Sequence, residues 1–178
     1  IVRHAVPHMA QQKYGRILLF SSVSALGNVG QANYSSAKAG QIGLANALAQ
    51  ELAPDNITVN IVFPGGDTRM TQGLPETSQA YIAQWGAPSE GTVEVTDLRD
   101  PERNAPKVVY LCTEAAANIT GRIFGTFGLP MTLYSQRRAI KVLHKDAPWT
   151  LEELEPLMPN TLTQGLVNTM VSKKAAAE

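Results

Sequence analysis

Residues 14–40 read YGRILLFSSVSALGNVGQANYSSAKAG, and how this stretch is parsed decides the fold. RILLFSS (16–22) is short, apolar and bounded by turn residues, which predicts a strand buried on both faces. A turn containing glycines follows. The run from about 31 to 53, halted by Pro54, then predicts a helix. Tyr34 and Lys38 stand four apart on it, so they share one face a single turn apart.

The alternation continues on both sides. IVRHAVPHMAQQ (1–12) carries apolar residues at helical intervals, with Gly15 as the stop beyond its last turn. NITVNIVFP (56–64) reads as a second strand closed by PGG. PERNAPKVVYLCTEAAA predicts a helix from about 102 to 116, and GRIFGTFG (121–128) a third strand. Strands alternating with helices of this length pair in parallel through right-handed crossovers, giving an α/β layered sheet. Three strands fall below the common four to six, so one side of the sheet is missing from this reading.

Residues 71–101 are rich in Gly, Pro, Ser and Thr, as in a lid, a binding loop or a disordered segment. Trp85 within them either lines a substrate pocket or anchors the loop to the core. Beyond 129 one helix is expected in WTLEELEPLM, with Thr150 as N-cap and Glu153 as its capping-box partner. Trp149 is expected to pack this tail, and the terminal KKAAAE to fray. A chain of 178 residues matches one domain, so the expected organisation is a single domain over 1–178 with 129–178 as a C-terminal extension.

Composition narrows the class. With 44% hydrophobic and 17% charged residues, the chain can bury a core and is not of the disordered type. Fifteen basic and fifteen acidic side chains cancel, which removes any broad attraction to nucleic acid or anionic membranes. No apolar run approaches the roughly 18 to 20 residues of a membrane span, and no signal peptide is evident. Cys112 is the only cysteine; its place in VVYLC predicts a buried thiol, and a reducing cytoplasm is the expected compartment. His4, His8 and His144 lack carboxylates or cysteines at ligand spacing, so no metal is expected.

A phenol titrates near pH 10, too high for neutral proton transfer unless a neighbouring cation stabilises the phenolate. Lys38 can supply that cation to Tyr34. Alone, Tyr-x-x-x-Lys fits a solvated helix face as well as a catalytic pair. Its context is more specific: Ser21 and Ser22 end a strand at the rim where open α/β sheets bind ligands, and PGGDTRM ends the next strand on the same rim.

YGRILLFSSVSALGNVGQANYSSAKAG, GLANALAQELAPDNITVNIVFPGG and NITGRIFGTFG together resemble the catalytic half of the short-chain dehydrogenase/reductase family, over roughly residues 1–128. The resemblance implies a Rossmann-like parallel sheet with flanking helices, present as its C-terminal half and entered mid-helix. It implies Tyr34 as general acid/base, and Lys38 as the group that lowers its pKa and binds the nicotinamide ribose. Ser22 would hydrogen-bond the substrate oxygen, and Pro64, Gly65, Gly66 and Thr68 would border the nicotinamide of NAD or NADP. The implied reaction interconverts a secondary alcohol and a ketone in a small-molecule substrate.

PGGDTRMT, one residue shorter than the commoner turn of the family, is similar to the branch containing the hydroxyacyl-CoA dehydrogenase part of peroxisomal multifunctional enzymes. A 3-hydroxyacyl thioester is the substrate this implies. The apolar face of LANALAQEL resembles the surface that family members pair in homodimers and homotetramers. Two departures stand out. The family's Gly-rich phosphate turn has no counterpart in this chain, and its catalytic asparagine would fall before Ile1. The alternative reading is therefore an inactive family member serving as an interaction or assembly piece. Ser22 also precedes Tyr34 by twelve positions where the family usually has thirteen, the count that Ser21 keeps. Ser22 is preferred because strand register fixes side-chain direction, which places the deletion in the loop.

Overall fold

The computed structural model describes residues 1–66, 68, 69, 73 and 100–166. The chain divides into two compact units, residues 1–136 and 137–178. The first unit thus extends eight residues past the expected boundary at 128, because 129–136 supply a further strand.

The first unit is a four-stranded sheet in the order β1-β2-β3-β4. Strands β1 (Gly15–Phe20) and β2 (Ile57–Phe63) pair in parallel from Gly15↔Ile57 to Phe20↔Val62. Strand β3 (Ile123–Gly125) continues the parallel pairing on β2, and β4 (Thr132–Leu133) closes antiparallel on β3. The sequence predicts three strands. The fourth is only two residues long, too short for a hydrophobic period to betray it.

Every residue of β2 is buried. Its odd-numbered side chains, Ile57, Val59, Ile61 and Phe63, join Ile17, Ile123 and the helix α2 (Ala32–Leu52) in the main core. Helix α2 presents Ala45, Ala49 and Leu52 to the sheet, and two alanines at i, i+4 let its backbone come close. On the other face Val62 packs with Leu111 and Phe124 beneath the short helix α3 (Ala105–Leu111).

Two buried polar side chains on that second face behave differently. Asn60, fully buried, donates to the Ile119 carbonyl at 2.7 Å and accepts from the Arg122 amide at 3.0 Å, fastening the approach to β3. Thr58 is as deeply placed, yet its hydroxyl has no hydrogen-bond partner among the described residues.

Four expectations need correction. Strand β1 is not buried on both faces: Leu18 and Leu19 are half-buried and Phe20 is exposed, because among the described residues β1 pairs on one edge only. The helix expected over 102–116 is broken into a 3₁₀ turn (Pro101–Asn104), α3 and a second 3₁₀ turn (Glu114–Ala116). Pro106 brings no amide donor, and Thr113 is extended (φ −83°, ψ 167°), which ends the helical path. Cys112, just past α3, is exposed rather than buried.

Helix α1 (Val2–Gln12), finally, stops not at Gly15 but at Lys13, which takes the left-handed conformation (φ 54°). Lys13 is held there by an ion pair with Asp55 at 2.5 Å and by the Asn56 amide, which donates to its carbonyl at 3.1 Å. Gly15 instead opens β1, where a side chain would collide with Met9.

In the second unit the described residues carry one helix, α4 (Leu151–Asn160), with the predicted capping box between Thr150 and Glu153. Lys145 pairs with Glu153 at 2.5 Å and lies 5.4 Å from the Trp149 ring. These bonds from Lys145 and the Thr150 backbone hold the Glu153 carboxyl below its usual pKa. KKAAAE and Trp85 lie outside the described residues.

The contrast on β2 gives a paired test by urea denaturation. Asn60→Ala, which strands a buried carbonyl and a buried amide, should cost about 3 kcal/mol, whereas Thr58→Val should be neutral or stabilise by about 1 kcal/mol.

Candidate functional site

Because β1 and β2 run in parallel, the segments that leave them emerge on one rim of the sheet. Ser21 and Ser22 follow β1. Pro64, Gly65 and Gly66 follow β2.

Ser21 continues the ladder, its amide donating to the Val62 carbonyl at 2.9 Å. Its buried hydroxyl donates to the Lys38 carbonyl at 2.9 Å. Ser22 follows in extended conformation (φ −156°, ψ 153°). The Ser22 hydroxyl oxygen accepts from the Ser24 amide at 3.1 Å and caps the 3₁₀ turn Val23–Leu26, and no described residue takes its proton. The loop beyond holds Gly27 (φ 113°) and Gly30 (φ 77°) in conformations that side chains resist. Asn28 spans this loop by donating to Ser24 Oγ at 3.2 Å and Gln31 Oε1 at 2.9 Å.

Tyr34 lies in the first turn of α2, exposed, with Lys38 one turn on. Lys38 Nζ stands 5.7 Å from the centre of the Tyr34 ring and donates to the Phe20 carbonyl at 3.0 Å. An ammonium has three donors, so two remain for a ligand. Helix and strand end are thus tied in both directions: Ser21 holds the backbone of Lys38, and Lys38 holds the backbone of Phe20.

The second group of expected residues forms its own pocket of about 260 Å³, lined by Pro64, Gly65, Gly66, Thr68, Pro101 and Asn104. The glycines here have a packing role that the sequence does not reveal. A Cβ on Gly65 would lie 1.8 Å from the Phe127 ring, and one on Gly66 would lie 2.9 Å from Pro101. Among the described residues no hydrogen bond joins this pocket to the Ser22–Tyr34–Lys38 group. Asp67, Met70 and Thr71 of PGGDTRMT lie outside the described residues.

Asn104 and Lys107 escaped the sequence reading. They stand three apart, at the start of α3 and within it, and reach the ends of β2 and β3. The sequence gives little signal for them, since Glu102 and Arg103 beside them are polar as well. Of the histidines, His144 lies 3.0 Å from Asp146, both exposed. Among the described residues no three His, Cys, Asp or Glu side chains gather as metal ligands, and no helix is long and apolar enough to cross a membrane.

Residues 1–126 match the family described as enoyl-(acyl carrier protein) reductase. Over 131 residues the chain is 40% identical to a 3-oxoacyl-[acyl-carrier-protein] reductase of Aquifex aeolicus, covering 72% of this chain and 50% of that protein. Over 160 residues it is 36% identical to the peroxisomal multifunctional enzyme type 2 of Drosophila melanogaster, covering 88% of this chain and 24% of that protein. A crystal structure of a short chain dehydrogenase from Mycobacterium avium superposes with a TM-score of 0.71 at 28% identity, over 93% of this chain and 52% of that one. The chain therefore spans half the length of the Aquifex relative, and less of the Drosophila one.

The packing of Gly65 can be checked directly. Gly65→Ala should lower stability by about 2 kcal/mol through overpacking against Phe127, and adding Phe127→Ala should return part of that loss in a double-mutant cycle read by thermal melting.

Proposed function

The chain belongs to the short-chain dehydrogenase/reductase family, and from that premise we propose that it supplies the catalytic residues of an NAD- or NADP-dependent oxidoreductase interconverting a secondary alcohol and a ketone. One observation carries this reading: the Lys38 ammonium, fixed on the Phe20 carbonyl, lies beside the Tyr34 ring with donors to spare. Tyr34 is the proton donor to the substrate oxygen in reduction and the acceptor in oxidation. Lys38 stabilises the phenolate and offers its remaining N–H groups to the ribose hydroxyls of the nicotinamide nucleotide.

Ser22 hydrogen-bonds the substrate oxygen. Ser21 is unsuited to that role, because its hydroxyl is buried and spent on Lys38. The choice that sequence spacing left open between the two serines is thus supported on the side of Ser22.

The residues present fit the nicotinamide end of the cofactor. Pro64, Gly65, Gly66 and Thr68 line a concave wall beyond the end of β2, at the sheet rim where β1 also ends. The bound nicotinamide supplies the hydride chemistry. What the chain's own residues contribute is orientation and the proton.

As substrate we propose a 3-hydroxyacyl or 3-oxoacyl thioester. The support is the likeness to a 3-oxoacyl-[acyl-carrier-protein] reductase and to a peroxisomal multifunctional enzyme type 2. We place this chemistry in a cytoplasmic homodimer or homotetramer.

The test is turnover of the purified protein with acetoacetyl thioesters, followed by the absorbance of NADH and NADPH. Tyr34→Phe should lower kcat by about 10²- to 10⁴-fold, the usual worth of a general acid/base. Unchanged turnover would refute the assignment, and the absence of nicotinamide binding in the parent protein would favour the inactive assembly piece.

A further inference from the structure

Asn104, which lines the pocket, and Lys107 form a clasp at its edge. The Asn104 side-chain amide donates to the carbonyls of Gly65 and Pro101, both at 2.8 Å, while its oxygen accepts from the Thr126 hydroxyl at 2.5 Å. Thr126 is fully buried. Lys107 Nζ donates to the carbonyls of Thr126 at 3.1 Å, Pro130 at 3.0 Å and Gly128. Both amide hydrogens and all three ammonium donors are therefore engaged on backbone, leaving none for a ligand. Burial, and secondarily the neighbouring Arg103, pushes the Lys107 pKa below the usual lysine value. Three backbone carbonyls around one ammonium make a structural partner set.

The two side chains act on one segment of the pocket wall and on the loop packed against it. One is the turn after β2, through the Gly65 carbonyl. The other is the loop after β3, whose Phe127 ring fills the space a Gly65 side chain would take. A shift of the loop after β3 must move Phe127, and with it the face of Gly65.

We propose that Asn104 and Lys107 are positioning residues, which fix the wall formed by Pro64, Gly65 and Gly66 and so set the affinity for the nicotinamide end of the cofactor. This rests on the function proposed above. The wall residues follow the end of β2, and Asn104 holds the Gly65 carbonyl among them. Polar groups left unpaired when either side chain is removed, the buried Thr126 hydroxyl among them, oblige the turn and loop to rearrange.

The experiment compares the parent protein with Lys107→Met and Asn104→Leu. Calorimetry measures binding of NADH, NADPH and ADP-ribose, the last being NADH without its nicotinamide ring, and amide hydrogen exchange follows residues 121–131. In both variants the reduced dinucleotides should bind about tenfold more weakly. ADP-ribose affinity should be unchanged, exchange in 126–131 should quicken, and Lys107→Arg should recover part of the lost affinity.

Unaltered dinucleotide affinity in both variants would overturn the inference, and so would a parallel loss for ADP-ribose, which marks general destabilisation. If Lys107→Met fails to fold, Thr126→Val takes its place with the same expected pattern. A parent protein that binds no dinucleotide at all would overturn the functional reading, and this inference with it.

Discussion

The parallel register of β1 on β2 is the constraint on which the rest of the first unit depends. It brings Ser22 and Pro64 out on one rim, and it sets which side chains of β2 meet α2. A slip of one residue would turn Ile57, Val59, Ile61 and Phe63 away from Ala45 and Ala49 and drive Thr58 and Asn60 into the main core. Asn60 opposes such a slip further, because only the native register lets it meet both the Ile119 carbonyl and the Arg122 amide. A buried amide with both ends satisfied here specifies an arrangement as well as stabilising it.

The second tie is between α2 and the end of β1, and it explains why two serines stand where one would serve chemistry. Ser21 and Lys38 hold each other's neighbourhood: a hydroxyl on the lysine carbonyl, an ammonium on the carbonyl of Phe20. Helix rotation or sliding would break both bonds. The position of Lys38 beside Tyr34 is thus determined by bonds to the strand. The proposed acid/base pair inherits the rigidity of the sheet, as preorganised catalysis requires.

Much of this was legible in the sequence because it rests on local or strongly periodic signals. The apolar run of β2, the small-residue face of α2 and the Thr150–Glu153 capping box each follow from residues a few positions apart. Where the reading failed, the cause was tertiary. Lys13 takes a left-handed conformation because Asp55 and Asn56, some forty residues away, hold it there. β1 looks fully buried by composition but has a strand neighbour on one edge only among the described residues. Strand register favours Ser22 over Ser21, and Tyr34 and Lys38 could be paired from spacing. Asn104 and Lys107 could not, since their partners are backbone carbonyls and no residue type marks those.

Gly65 and Gly66 carry a last lesson about inference from glycine. A glycine pair after a strand invites the reading that a ligand approaches bare backbone. Here the spaces that side chains would occupy are already taken by Phe127 and Pro101. The two roles are compatible, since Gly65 and Gly66 line the pocket while Phe127 and Pro101 pack against them. Such packing limits how far the turn can recede. Glycine at these positions is then a requirement of the protein's own packing, and a ligand site would gain its shape from that packing.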